Sequence, residues 1–194
     1  MIDHTSFVET GVVLGDNVRI WRNSHVRSGA QIGNSVIIGE NVYIGSGVLI
    51  GNNTKIQNGA MIYEPAIIED GVFIGPGACL TNDKYPRAIN TVGELKNIKE
   101  WNPIGVKVKT GATIGAGVIC IAPVIIGESA LVGAGSVVTQ DVCDFGLYVG
   151  NPAKQIGWVN KQGFKLLKKG DKYFCKEDDS FYILSEGKIV RYKN

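Results

Sequence analysis

The stretch Gln31-Ile32-Gly33-Asn34-Ser35-Val36-Ile37-Ile38-Gly39-Glu40-Asn41-Val42-Tyr43-Ile44-Gly45-Ser46-Gly47-Val48-Leu49-Ile50-Gly51 decides the fold. Within it Ile32, Ile38, Ile44 and Ile50 recur every six residues, and each is followed by glycine. Stepping outward by six gives Ile2, Val8, Leu14, Ile20 and Val26 on one side, and Ile56, Ile62, Ile68, Ile74 and Leu80 on the other. Four places after each comes a small or β-branched residue, among them Ser24, Ala30, Val36, Val42, Val48, Thr54, Ala60 and Ala78. A period of six fits neither the 3.6 of a helix nor the two of plain strand alternation. It fits short strands joined by turns, with one large apolar side chain per strand pointing inward. Three such units close a triangular coil of about eighteen residues, and coils stack at roughly 4.8 Å. We therefore expect an all-β fold, a parallel β-helix in which each coil buries its apolar side chains against the next.

The phase breaks once. It resumes at Val108, Ile114, Cys120, Ile126, Val132 and Val138, out of step with Leu80, so an insertion occupies about residues 82–106. Pro86, Pro103 and many polar residues make it a loop. A solenoid that serves only as a scaffold seldom carries such a loop in mid-stack, so the loop points to a site; a non-catalytic or metal-binding β-helix module is the competing reading. Residues 1–156 form the expected solenoid domain and residues 157–194 a linker with a β-hairpin tail. In that tail Tyr173-Phe174-Cys175 and Phe181-Tyr182-Ile183-Leu184 flank the polar run Glu177-Asp178-Asp179-Ser180. Lys165, Lys168 and Lys169 read as solvated linker.

Bulk properties narrow the function classes. A formal net charge of +2 is too mild to argue for a nucleic-acid or membrane partner. Met1-Ile2-Asp3-His4-Thr5 has neither the basic nor the apolar segment of a secretory signal, and no apolar run reaches membrane-spanning length. Cys79, Cys120, Cys143 and Cys175 form no C-x-x-C pair and read as reduced thiols of a cytoplasmic protein.

Histidine is scarce: only His4 and His25 are present. Two imidazoles cannot supply the three that zinc needs in hexapeptide carbonic anhydrases. A hydroxyl nucleophile, with its high pKa, needs a general base, and no histidine lies near the loop in sequence. An amine of pKa close to that of an α-amino group is already partly neutral, so orienting it is the main task. The pattern favours N-acyl over O-acyl transfer. At the loop mouth stands Leu80-Thr81-Asn82-Asp83-Lys84-Tyr85-Pro86-Arg87. Asn82 and Glu64 each hold the third place of a hexapeptide, one coil apart, so they are expected to stack roughly 5 Å apart. With Asp83 they form a candidate catalytic group; an asparagine ladder with a turn carboxylate is the alternative.

These residues carry a family resemblance. The chain resembles the nucleotide-sugar 3-N-acetyltransferases of the left-handed β-helix class, across essentially its whole length. Lys55-Ile56-Gln57-Asn58, Ile62-Tyr63-Glu64 and Val149-Gly150-Asn151-Pro152-Ala153-Lys154-Gln155-Ile156-Gly157-Trp158 resemble enzymes acting on UDP-2-acetamido-3-amino-2,3-dideoxyglucuronate. Thr81-Asn82-Asp83 with Tyr85-Pro86-Arg87-Ala88 is closer to enzymes acting on dTDP-3-amino-3,6-dideoxyhexoses. The resemblance implies a left-handed solenoid, a homotrimer, acetyl-CoA as co-substrate and a role in cell-surface glycan synthesis. Of the two acceptors it favours the UDP-linked uronate, with the dTDP sugar second; transfer to another amino-sugar position is the alternative. It implies that Asn82 contacts the amine and thioester, that Glu64 orients the amine, that Asp83 assists, and that the thiolate of coenzyme A takes the final proton. Arg87, Tyr85 and His25 are the substrate-binding candidates, Arg87 for a phosphate or carboxylate. The cofactor would lie along Gly111-Ala112-Thr113-Ile114-Gly115-Ala116 and Val132-Gly133-Ala134-Gly135-Ser136, with Gly115, Ala116, Ala134 and Gly135 giving it room and Lys154 meeting its anionic end. Some relatives continue with paired cysteines resembling a zinc ribbon. Here only Cys175 remains beyond Trp158, and a lone thiol builds no four-ligand site, so no metal is expected.

Overall fold

A computed structural model describes residues 1–192. The six-residue period becomes a three-sided parallel β-solenoid of two-residue strands. The first sheet holds Phe7–Val8, His25–Val26, Tyr43–Ile44, Met61–Ile62, Cys79–Leu80, Ile119–Cys120 and Val137–Val138. The second runs from Val13–Leu14 to Ile125–Ile126, and the third from Arg19–Ile20 to Lys154–Trp158. Register is strict: Ile20 pairs Ile38, Ile38 pairs Ile56, and Ile62 pairs Leu80. The architecture is consistent with the left-handed β-helix expected.

The core is the period itself. Ile20, Ile38, Ile44, Ile56, Ile62, Ile74 and Leu80 are fully buried, as are the small partners Ala30, Ala60 and Ala78. Each isoleucine withdrawn from water contributes about 1.5–3 kcal/mol. Ile2, in the first coil, is 47% exposed. The polar residues buried at the small inner position, Ser24, Thr54 and Ser136, are satisfied in place. Ser24 Oγ donates to the Gly39 carbonyl at 2.7 Å, and Thr54 Oγ1 donates to that of Glu69.

The glycines after the inward residues have a steric cause. At Gly15, Gly33, Gly39, Gly45 and Gly51 a Cβ would stand 2.6 to 2.8 Å from a backbone nitrogen of the next coil. Only glycine permits that approach. A second six-step, not noticed in the sequence, runs through the turns: Gly11, Asn17, Asn23, Gly29, Ser35, Asn41, Gly47, Asn53 and Gly59 all have positive φ. Glycine and asparagine visit that region most readily. Positions 65 and 123 fall on the same step but are prolines, both at the corner between the first and second sheets.

The insertion leaves at that same corner. Cys79 pairs Ile119 and Ile67 pairs Lys107, a step of 40 where other coils take 18, so 22 residues are extra. The neck closes where Ile104 N–H donates to the Asn82 carbonyl at 3.0 Å, and Gly105 returns tightly over Pro65. The loop is ordered by its own polar residues. Asn90 Oδ1 accepts from the amides of Val92 and Glu94, and Asn97 and Glu100 cap a 3-10 turn reciprocally.

The tail differs from the expected linker and hairpin. The hairpin of Lys172–Cys175 and Ser180–Ser185 is present, but Leu167–Lys169 and Lys188–Arg191 flank it to make a four-stranded antiparallel sheet. Lys168 and Lys169 therefore lie in a strand, and Lys169 Nζ sits 4.0 Å from the Phe174 ring centroid. Leu166, Cys175, Tyr182 and Ile189 form its small core, against Phe145 and Trp158 of the solenoid end. Strand Lys154–Trp158 pairs antiparallel with Gly146–Val149, so the solenoid's hydrogen bonding runs past residue 156 to Trp158.

Candidate active site

One corner of the prism, between the first and second sheets, gathers most of the candidates. Successive coils bring Glu9, Arg27, Gly45, then Tyr63 with Glu64, then Thr81 with Asn82 to this edge. The one-coil offset between Glu64 and Asn82 follows from the Ile62–Leu80 pair. Among the described residues no hydrogen bond joins their side chains. Elsewhere this type of side chain accepts a backbone N–H of the preceding coil, as Asn34 does from Asp16 and Asn58 from Glu40. Glu64 is one methylene longer. Its carboxylate lies back over Gly45, where Oε2 is shielded from solvent and has no hydrogen-bond partner among the described residues. A shielded carboxylate oxygen with no donor is costly.

Asn82 is half-buried at the neck of the loop. Asp83 is committed to the loop's first turn, where Oδ1 accepts from Tyr85 N–H at 2.9 Å. Tyr85 is 73% exposed, and Arg87 donates from Nη1 to the Pro86 carbonyl at 2.7 Å. Asp83, Arg87, Lys96 and Trp101 line a cavity of about 340 Å³ within the loop.

His25 lies three coils from Asn82 along the axis, with Tyr43 and Met61 between it and Cys79. Its Nε2 is 2.8 Å from Glu9 Oε1. Glu9 is held below the usual carboxylate range by the Ser28 amide and by His25. A base at His25 cannot reach an amine at Asn82 of the same chain. Two neighbours that the sequence reading passed over are Arg27 and Tyr43. Arg27 Nη1 donates to Tyr43 Oη at 3.2 Å, and Arg27 Nε is 2.7 Å from Glu9 Oε1. The Nε–H has no well-aligned acceptor, so the link to Glu9 is coulombic.

The cofactor candidates sit on the opposite border of the first sheet, at its corner with the third. Gly115 has a packing reason to be glycine, since a Cβ would stand 2.6 Å from Ala134 N. Gly135 has none: its φ is +70° and a Cβ there would meet nothing within 4 Å. Ala116, Ala134 and Gly135 are exposed, as is Lys154. Small exposed residues on successive coils leave a smooth edge there.

Comparison with known proteins bears on this geometry. The family described as bacterial transferase hexapeptide (six repeats) matches residues 11–46 and 47–82. The hexapeptide repeat of succinyl-transferase matches residues 29–64 and 111–140, on both sides of the loop. The chain thus carries hexapeptide repeats of transferase type on both sides of the loop. The dTDP-3-amino-3,6-dideoxy-alpha-D-galactopyranose 3-N-acetyltransferase of Aneurinibacillus thermoaerophilus is 58% identical to it over 52 residues. That stretch is 27% of this hexapeptide protein and 27% of the relative, so the match spans about a quarter of either. A mutant of AntD, an N-acyltransferase from Bacillus cereus solved with dTDP and coenzyme A, is 25% identical. The similarity covers 83% of this chain and 82% of that one, with a TM-score of 0.51. LpxA, a UDP-N-acetylglucosamine acyltransferase from Bacteroides fragilis, shares the fold at 18% identity, covering 81% and 60% of the two chains with a TM-score of 0.66.

Proposed function

We propose that this protein transfers the acetyl group of acetyl-CoA to the 3-amino group of a nucleotide-linked sugar. The observation that carries the reading is the 58% identity to a sugar 3-N-acetyltransferase. The likeness to AntD, solved with both a thymidine nucleotide and coenzyme A, supports it. These two similarities favour a dTDP-linked 3-amino-3,6-dideoxyhexose over the UDP-linked uronate that the sequence put first.

In the mechanism, the Glu64 carboxylate turns out from Gly45, accepts a hydrogen bond from the neutral amine and directs its lone pair towards the thioester. The amine nitrogen attacks the acetyl carbonyl, and the Asn82 amide N–H stabilises the oxyanion that develops. The C–S bond then breaks, and the departing thiolate takes the proton released by the amine. No histidine is needed, in keeping with the distance of His25 from the loop. Ala116, Ala134 and Gly135 would face the pantetheine arm, Lys154 the anionic end of the cofactor, and Arg87 the acceptor. A homotrimer, with the cofactor in the groove between solenoids, and a cytoplasmic setting for cell-surface glycan synthesis belong to the same proposal.

The test incubates the protein with acetyl-CoA and a panel of dTDP- and UDP-linked amino sugars, following free thiol and the mass of the acetylated sugar. Thiol release with a 3-amino sugar supports the reading, and no release with any amine acceptor overturns it.

A further inference from the structure

A line of rings climbs the first sheet from the N-terminal coil to Glu64. Phe7 packs on His25 with centroids 5.1 Å apart, His25 meets Tyr43 edge-on at 5.8 Å, and Tyr43 packs on Tyr63 at 5.2 Å. Tyr63 immediately precedes Glu64 in sequence. Beside this line stands Arg27, two coils below Glu64 on the same corner. Its side chain is 39% exposed and is held by Glu9 and Tyr43. Phe7, at the far end, is 61% exposed although it lies on a strand.

The order of these groups has a chemical reading. From Glu64 towards the N-terminus come two tyrosine rings, then a guanidinium in fixed position level with the half-buried His25 ring, then the exposed ring of Phe7. At roughly 4.8 Å per coil, Arg27 lies about 10 Å and Phe7 about 14 Å from Glu64 along the axis. A hexose carrying its amine at one end and a nucleoside diphosphate at the other has that length and that order of parts. The direction agrees with Glu64, whose carboxylate leans towards Gly45 and these coils.

We propose that Arg27, fixed by Tyr43, binds the diphosphate of the acceptor, with Tyr63 and Tyr43 under the sugar and His25 and Phe7 under the nucleobase. A guanidinium matches phosphate oxygens by shape and charge, and flat rings accept a base by stacking. The strip rests on the acetyltransferase reading and adds its specificity residues. It assigns His25 to the nucleobase and gives the diphosphate to Arg27, leaving Arg87 free for the sugar.

Two measurements on the full chain test it: calorimetric titration with UDP and with dTDP, and steady-state kinetics with a nucleotide-linked 3-amino sugar. Arg27→Met should weaken nucleoside diphosphate binding and raise KM for the acceptor by tenfold or more, with kcat within about threefold. Tyr43→Phe, which removes only the hydroxyl that fixes Arg27, should do the same more weakly. Should Arg27→Met fail to fold, Arg27→Lys keeps the charge but loses the fork and should still raise KM. Arg19→Gln, on the third sheet, should leave both readings unchanged. An active enzyme in which Arg27→Met and Arg27→Lys leave KM and nucleotide binding unaltered overturns the strip alone. A wild-type chain that binds dTDP or UDP through Arg27 yet acetylates no amino sugar overturns the acetyltransferase reading and leaves the nucleotide site standing.

Discussion

Glu64 folds its carboxylate back over Gly45 of the preceding coil and away from Asn82 of the next. A glycine at position 45 is the condition for this. Its Cβ would overlap Glu64 Oε2 and stand 2.7 Å from Glu64 N. Gly45→Ala should therefore disturb the carboxylate as well as the stack. Gly51→Ala is the control, because its Cβ would meet Asp70 N at 2.6 Å on a corner without candidate residues. Both should lose stability by about 1–3 kcal/mol, but only Gly45→Ala should lose kcat beyond what its melting temperature accounts for.

Asn82 ties the loop by its backbone carbonyl, and none of the side-chain hydrogen bonds among the described residues involves its amide. Asn82→Ala should thus lower kcat by about a hundredfold or more while the melting temperature stays nearly constant. Near-normal turnover in this variant would remove Asn82 from the mechanism.

Ile62 lies fully buried between Ile44 and Leu80. Ile62→Ala should destabilise the chain by about 2–5 kcal/mol, measured by denaturant unfolding. Met61→Ala, a neighbour that points outward and is 46% exposed, should cost far less.

Acid should loosen the C-terminal sheet. Hydrogen bonds from the Ser180 hydroxyl and the Cys175 thiol, with others, lower the Asp178 pKa to about 2 from its ordinary 3.8. A carboxylate with a depressed folded pKa stabilises fully above its unfolded value and loses that contribution as pH falls through the folded one. The loss should fall between about pH 4 and pH 2 and be visible in Trp158 fluorescence. Asp178→Asn should flatten this part of the pH profile.

Burial pushes the Cys120 thiol up to about 12, with Cys79 adding to it. Iodoacetamide at neutral pH should leave Cys120 unmodified in the native protein and alkylate it after unfolding, as read by mass spectrometry.

The solenoid was legible because its cause is local. Ile32, Ile38, Ile44 and Ile50 repeat the same demand for an inward apolar side chain, and a demand repeated along the chain shows as a period. The loop was legible for the converse reason, since Leu80 and Val108 fall out of phase. The tail was less so. Its four strands are held by Leu166, Cys175, Tyr182 and Ile189, which follow no period and meet only when the sheet forms.

What the sequence determined by itself is the coil, the place in the repeat where the loop interrupts it and the one-coil step from Glu64 to Asn82, all of which follow from counting residues against a fixed period. Only the tertiary structure decided where side chains at the loop's corner point. Whether Glu64 leans forward to Asn82 or back to Gly45, and whether Arg27 comes to rest against Glu9 and Tyr43, depends on room left by residues a full coil away. Spacing places a Cβ, but the packing of the neighbouring coil selects the rotamer, and the chemistry follows the rotamer.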